Sequence, residues 1–164
     1  MNLRSPNKTP LDESGLYQKA IRLLAKREYA VGEIRRRLAP YAQSNGVLEA
    51  TMGRLVDDGY LSDERFAEVF VRSHIERGDG PFKIRHQLAE RGVSENTISR
   101  WLPDDETLWR RQLEKVRQKR FGEKPPADRR AWLKQARFLE QRGFGASQIR
   151  QVLGAPIWHV DVAD

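Results

Sequence analysis

The chain has 164 residues, enough for one domain of ordinary size, and carries 30 Lys and Arg against 23 Asp and Glu, a formal net charge of +7. That excess favours an anionic partner, most simply nucleic acid or a complex containing it, although a charge excess that only aids solubility has the same sign. With no cysteine there is no disulfide or zinc-thiolate framework, and His74, His86 and His159 lack ligand spacing, so neither a metal nor a cofactor is expected.

Residues 1–13 are polar, carry Pro6 and Pro10, and read as a disordered tail. From Leu16 the apolar positions Tyr17, Ala20, Ile21 and Leu24 recur at helical steps, followed by Val31, Ile34, Leu38 and Tyr41, then by Leu48, Met52, Leu55 and Val56. These are three amphipathic helices, and residues 14–60 form a first three-helix repeat. Ser62 caps the next helix, with Asp63 and Glu64 in its first turn and Phe66, Val69, Phe70 and Ser73 as its buried stripe. Gly78, Gly80 and Pro81 break the chain before a helix holding Ile84 and Leu88; Ser94 opens another with Ile98, Trp101 and Leu102, stopped by Pro103. Residues 61–103 are thus a second repeat. Residues 104–126 read as a basic linking helix, opened by Asp104, Asp105 and Glu106, and a joint from Gly122 to Pro126. Residues 127–164 rebuild two helices of a third repeat around Trp132, Ala136, Leu139, Ile149 and Leu153. Gly154 and Pro156 leave this repeat truncated, with an irregular end in which Trp158 and Val160 pack back.

The organising feature is a phrase that occurs three times: LLAKREYAVGEIRRRL from Leu23, SHIERGDGPFKIRHQL from Ser73 and FLEQRGFGASQIRQVL from Phe138. Each copy places Arg fifth (Arg27, Arg77, Arg142), an Ile-Arg pair later (Ile34-Arg35, Ile84-Arg85, Ile149-Arg150) and a closing Leu (Leu38, Leu88, Leu153). A unit of this size cannot bury its apolar face alone, so the expected fold is all-α, an elongated tandem array of three-helix repeats that offers a long surface to a partner. No apolar stretch approaches the roughly 20 residues that span a bilayer, and MNLRSPNKTP lacks the apolar centre of a secretory signal. A soluble cytoplasmic protein is expected, with no membrane partner.

The Ile and Leu of each phrase share one stripe and belong to the core. The neighbouring Arg35, Arg85 and Arg150 point away from it and suit a partner contact and a solvated face equally well. Arg35, Arg36 and Arg37 spread around their helix, so they cannot all face one phosphate track. Arg27, Arg77 and Arg142 are placed to cap helix ends. The densest basic segment, WRRQLEKVRQKR, holds Arg110, Arg111, Lys115, Arg117, Lys119 and Arg120 against the single acid Glu114, and is the leading candidate for contact with an anionic surface. Trp109, which opens it, is expected to dock on a neighbouring repeat, and Tyr29, Tyr60, Phe66, Phe70 and Trp101 read as core. No nucleophile and base set, Gly-rich phosphate loop or calcium loop is present, so an enzyme is not expected.

The segment GYLSDERFAEVFVRSHIERGDGPFKIRHQLAERGV, from Gly59 to Val93, resembles the signature of the RecX family, regulatory proteins of RecA. REYAVGEIRRRL before it and QARFLEQRGFGASQIRQVL after it stand in the family order, and the resemblance covers most of residues 16–154. It implies homeodomain-like three-helix units and binding along the RecA filament on DNA, with reduced RecA ATPase, strand-exchange and co-protease activity in DNA repair and the SOS response. Direct contact with single- or double-stranded DNA stays open. The alternative is a DNA-binding protein that sets a recognition helix in the major groove. Such proteins generally pair as dimers, and the chain shows no dimerisation segment, so a monomer is expected.

Overall fold

The structure, a computed structural model, describes residues 9–156. The expected tail up to residue 8 and the chain from Ile157, with Trp158 and Val160, lie outside the described residues. Regular structure within them is helical: α1 (Glu13–Leu24), α2 (Val31–Leu38), α3 (Asn45–Asp57), α4 (Asp63–Arg77), α5 (Pro81–Glu90), α6 (Glu95–Trp101), α7 (Glu106–Phe121), α8 (Arg129–Gln141) and α9 (Ala146–Leu153).

Most of these helices start where a short polar side chain can take a free N–H. Asp12, Ser44, Ser62, Ser94, Asp105 and Asp128 each accept from the backbone N–H three residues on, at 2.7 to 3.2 Å. Two phrase helices lack that cap and use the residue in their first turn instead. Glu33 accepts from the Ala30 N–H at 3.2 Å, and Gln148 accepts from the Gly145 N–H at 2.9 Å. The Asp12 cap shows where the expected tail stops short of residue 13. Leu11 pairs with the segment after α2, donating to Tyr41 O at 2.7 Å and accepting from the Gln43 N–H at 3.0 Å, so chain order begins before α1.

Two compact units follow, residues 9–69 with 88–101 and residues 70–87 with 102–156, and the division falls inside α4 and α5. In the first, α1, α2 and α3 pack on one another around Leu16, Ala20, Ile34, Leu38, Leu48, Met52 and Leu55. A fully buried side chain of this kind contributes about 1.5–3 kcal/mol. The first N–H of α2, on Val31, donates to Asp63 at 2.8 Å. Burial pushes the Asp63 carboxyl above its ordinary range, and the Val31 hydrogen bond pulls it only part of the way back. Glu64, next in the chain, accepts from Trp101 Nε1 at 2.5 Å, Arg100 at 2.9 Å and Thr97 at 3.2 Å. The Trp101 bond is the main reason that its carboxyl lies below the usual range. Val56, Tyr60 and Val69, expected in buried stripes, are exposed. Ala67 and Val71 are buried instead, beside Phe66 and Phe70 on α4.

In the second unit α7, α8 and α9 pack mutually around Trp109, Leu113, Trp132, Ala136, Leu139, Ile149 and Leu153. This replaces the expected linking helix at 104–126 and the truncated last repeat. The phrase helices α8 and α9 have their third helix, supplied by α7 from the preceding chain. The physical reason is that the apolar face of α8 and α9 needs a cover, and α7 carries a matching stripe of Trp109 and Leu113.

The same unit joins two phrase turns directly. Gly80 N–H donates to Arg142 O at 2.6 Å and Phe82 N–H to Gly143 O at 3.1 Å. Glycine is required there: a Cβ on Gly80 would lie 2.4 Å from the Gly143 carbonyl, and one on Gly143 would lie 2.3 Å from Lys83 Cβ. Beside this joint the buried Asp79 accepts from Lys83 Nζ and pairs with His74 Nδ1, both at 2.7 Å, while the His74 ring stacks on Phe70 at 3.9 Å. Burial alone would raise the Asp79 carboxyl, but the bonds and charges of Lys83 and His74 outweigh it and hold the group below its ordinary value.

Candidate functional site

The structure distributes the expected basic residues rather than gathering them. On α2, Arg35 is ion-paired with Glu49 of α3, Arg36 reaches Glu90 O at 3.5 Å, and the Arg37 guanidinium stands 5.3 Å from the Tyr29 ring centroid. The run of three thus has three different neighbours, as its spread around the helix dictates. On α5 Arg85 is half-buried, and on α9 Arg150 is exposed. The fifth-position arginines differ from one another. Arg77 ends α4, Arg142 caps α8 and donates to Arg77 O at 3.2 Å, but Arg27 lies beyond α1, 3.5 Å over the Tyr29 ring and paired with Glu33.

On α7, Arg111, Lys115, Lys119 and Arg120 are exposed, and Arg110 is paired with Glu114 at 3.4 Å. Arg117 departs from expectation. It is 7% exposed and its guanidinium donates to Lys124 O at 3.0 Å and Glu123 O at 3.1 Å, tying the turn after α7 to the helix. It is a structural residue and not a surface contact. The sequence held the clue: Trp109, Leu113 and Arg117 are spaced by four, so Arg117 continues the buried stripe, and the open carbonyls after Gly122 satisfy its charge. Trp109 is buried and donates from Nε1 to Pro103 O at 2.8 Å, a packing role in keeping with its reading as a docked ring.

A basic cleft joins two residues of the expected set, Lys119 and Arg120, to others outside it. A cleft of about 270 Å³ is lined by Arg77, Val116, Lys119, Arg120, Phe138 and Arg142, with no carboxylate among its described lining. A second opening along α8 shares Phe138 and is lined also by Arg130, Lys134 and Arg137. Charge density in the sequence marks Lys119 and Arg120, whereas Arg77 and Arg142 read as helix caps and the α8 bases carry no sequence signal of their own. No sequence window contains all of these residues, because three helices contribute them.

Comparison with known proteins bears on what such a surface serves. Residues 62–102 match the family model described as RecX, second three-helix domain, and residues 104–153 match that of RecX, third three-helix domain. A protein of Halorhodospira halophila named regulatory protein RecX is 45% identical over 136 residues, covering 83% of this chain and 84% of its own. The chain belongs to the RecX family. A further member, regulatory protein RecX of Acidithiobacillus ferrooxidans, is 38% identical over 136 residues, covering 83% of this chain and 87% of its own. The fold agrees with the crystal structure of RecX from Lactobacillus salivarius, with a TM-score of 0.74 at 20% identity, covering 87% of this chain and 94% of that one. The third RecX domain as matched includes α7, in accord with its packing on α8 and α9.

Proposed function

We propose that this RecX-family protein is a non-enzymatic regulator of RecA. It binds the filament that RecA forms on DNA and restrains RecA's ATP turnover, recombinase and co-protease activity in DNA repair and the SOS response. The observation that carries this reading is the 45% identity with a regulatory protein RecX over most of both chains. The tandem three-helix units support it, because linked units that each make a modest contact combine through high effective concentration. The net charge of +7 supports a nucleoprotein partner. On this reading the protein acts as a cytoplasmic monomer, and its contacts come from Arg35, Arg36, Arg37, Arg85, Arg110, Arg111, Lys115, Lys119, Arg120 and Arg150.

The test is RecA's ATP turnover on single-stranded DNA with increasing amounts of this protein. Inhibition well below one molecule per RecA is expected. Unchanged turnover at an excess of the protein would sink the proposal.

A further inference from the structure

We infer that the turn before α5 is a latch: Lys83 converts it from a turn that caps its own helix into one that closes on the turn after α8 and so brings Arg77 and Arg142 together. The eleventh residue of each phrase decides where the N–H of the eighth residue goes. In the first phrase Glu33 accepts from the Ala30 N–H at 3.2 Å, and in the third Gln148 accepts from the Gly145 N–H at 2.9 Å. The second phrase has Lys83 in that place, and an ammonium group accepts nothing. The Gly80 N–H donates to Arg142 O at 2.6 Å instead. A backbone N–H is a single donor, so the cap of its own turn and the bond to the other turn compete for it.

Two further departures from the phrase point the same way. A base in the first turn of a helix opposes the helix dipole, so Lys83 needs a counter-charge. It has one in Asp79, at 2.7 Å. Asp79 is the seventh residue of its phrase, where the first and third carry Tyr29 and Phe144, and all three residues are buried. His74, which pairs with Asp79 at 2.7 Å, stands second, where the other phrases carry Leu24 and Leu139. An aromatic ring and a leucine are thus exchanged for a carboxylate and its hydrogen-bond partner at the one phrase turn that lacks its own cap. With the latch closed, Phe82 N–H reaches Gly143 O at 3.1 Å and the Arg142 guanidinium reaches Arg77 O at 3.2 Å. Arg77 and Arg142 both line the basic cleft, so closing the latch and assembling that side of the cleft are one event.

The experiment is amide hydrogen exchange by NMR on the full chain without RecA, read at Gly80 and Phe82, with Leu113 in the middle of α7 as the reference for unfolding of the whole unit. Both turn amides should be slow in the parent. Lys83→Gln gives the turn the acceptor that Gln148 gives the third phrase, so the Phe82 amide should exchange at least about fivefold faster, the size of one lost hydrogen bond, while Gly80 stays protected by its own cap and Leu113 is unchanged. Lys83→Arg keeps the charge and accepts nothing, so both turn amides should stay as in the parent. Because Lys83→Gln also takes the ammonium partner from Asp79, a triple variant, His74→Leu with Asp79→Phe and Lys83→Gln, restores the residue types of the third phrase at all three places. It should keep the parent's helix content by circular dichroism and still release Phe82. Slow Phe82 exchange in both of the variants that carry Lys83→Gln would overturn the latch, as would fast exchange in Lys83→Arg or a rise at Leu113 equal to that at Phe82.

Discussion

Replacing Gly143 by Ala tests the joint between the two phrase turns, and the structure sets the size of the effect. Gly143 has φ +91°, where an L-residue is strained by about 1–2 kcal/mol. Its new Cβ would lie 2.3 Å from Lys83 Cβ and 2.6 Å from Lys83 N, so the first turn of α5 must move, at the cost of about 1–3 kcal/mol typical of overpacking. If the turns part, the bonds from Gly80 N–H to Arg142 O and from Phe82 N–H to Gly143 O weaken as well, each contributing about 1 kcal/mol. The expected loss is about 4–7 kcal/mol in all, a drop of roughly 8–28 °C in Tm for a chain of this size. The assay is thermal unfolding followed by circular dichroism, with Gly59→Ala as the control. Gly59 has φ +75° but nothing within 4 Å of its Cβ position, so it isolates the backbone strain. If Gly143→Ala loses no more stability than Gly59→Ala, the joint is not a packed contact and the reasoning fails.

Gly53, inside α3 with open space around its Cβ position, should accept Ala with a gain of up to about 1 kcal/mol, read as a higher Tm. Ile84→Asp should abolish cooperative unfolding, because Ile84 is wholly buried and an unpaired charge there costs several kcal/mol; a near-parental melt would remove Ile84 from the core. Arg117→Ala should cost about 1–3 kcal/mol of stability through the freed Glu123 and Lys124 carbonyls, read as a lower Tm, whereas Arg111→Ala and Lys115→Ala should leave Tm unchanged. The Asp79 carboxyl titrates lower in the fold than the roughly 3.9 of an unfolded chain, so it stabilises the protein above that pH, and the contribution is lost as pH falls through the folded value. Asp79→Asn should therefore flatten the decline of Tm as pH falls below about 4 and lower Tm at neutral pH; an unchanged acid limb would mean that the group contributes no linkage.

The part of the fold that depends on spacing within one helix was legible in the sequence. Ile34, Leu38, Ile84, Leu88, Ile149 and Leu153 are all buried, because a separation of four residues fixes a shared face whatever lies opposite. Cap positions were legible for the same local reason: Ser62 and Ser94 sit where a polar side chain meets free N–H groups. What was not legible depends on residues far apart in the chain. Arg35 and Arg150 are equivalent in the phrase, but Arg35 is paired with Glu49 on another helix whereas Arg150 is exposed and has no ion pair among the described residues, so equivalent residues end in different states. Tyr60 and Val69 looked apolar enough for the core, but burial is decided by which neighbours arrive: Tyr60 meets the Tyr17 ring edge-on and is still 50% exposed, and Val69 is 41% exposed.

The place of α7 carries this furthest. In the first unit the phrase helices α1 and α2 precede the helix that covers them, α3; in the second, α7 precedes the phrase helices α8 and α9. Packing does not register chain direction: Ile149 and Leu153 are buried equally well by a helix from either side of the sequence. An abundance of Arg and Lys hid that role, since α7 shows only Trp109 and Leu113 as clear apolar anchors and fills the next position of the stripe with Arg117. A base at a buried position is tolerated when carbonyls wait for it, and the turn at Glu123 and Lys124 supplies them. The arrangement also brings the C-terminal turn of α7, with Lys119 and Arg120, beside Arg142 at the end of α8. A helix used as a separate strut would leave those charges apart. Docked as the third helix of its unit, it assembles them into one cleft.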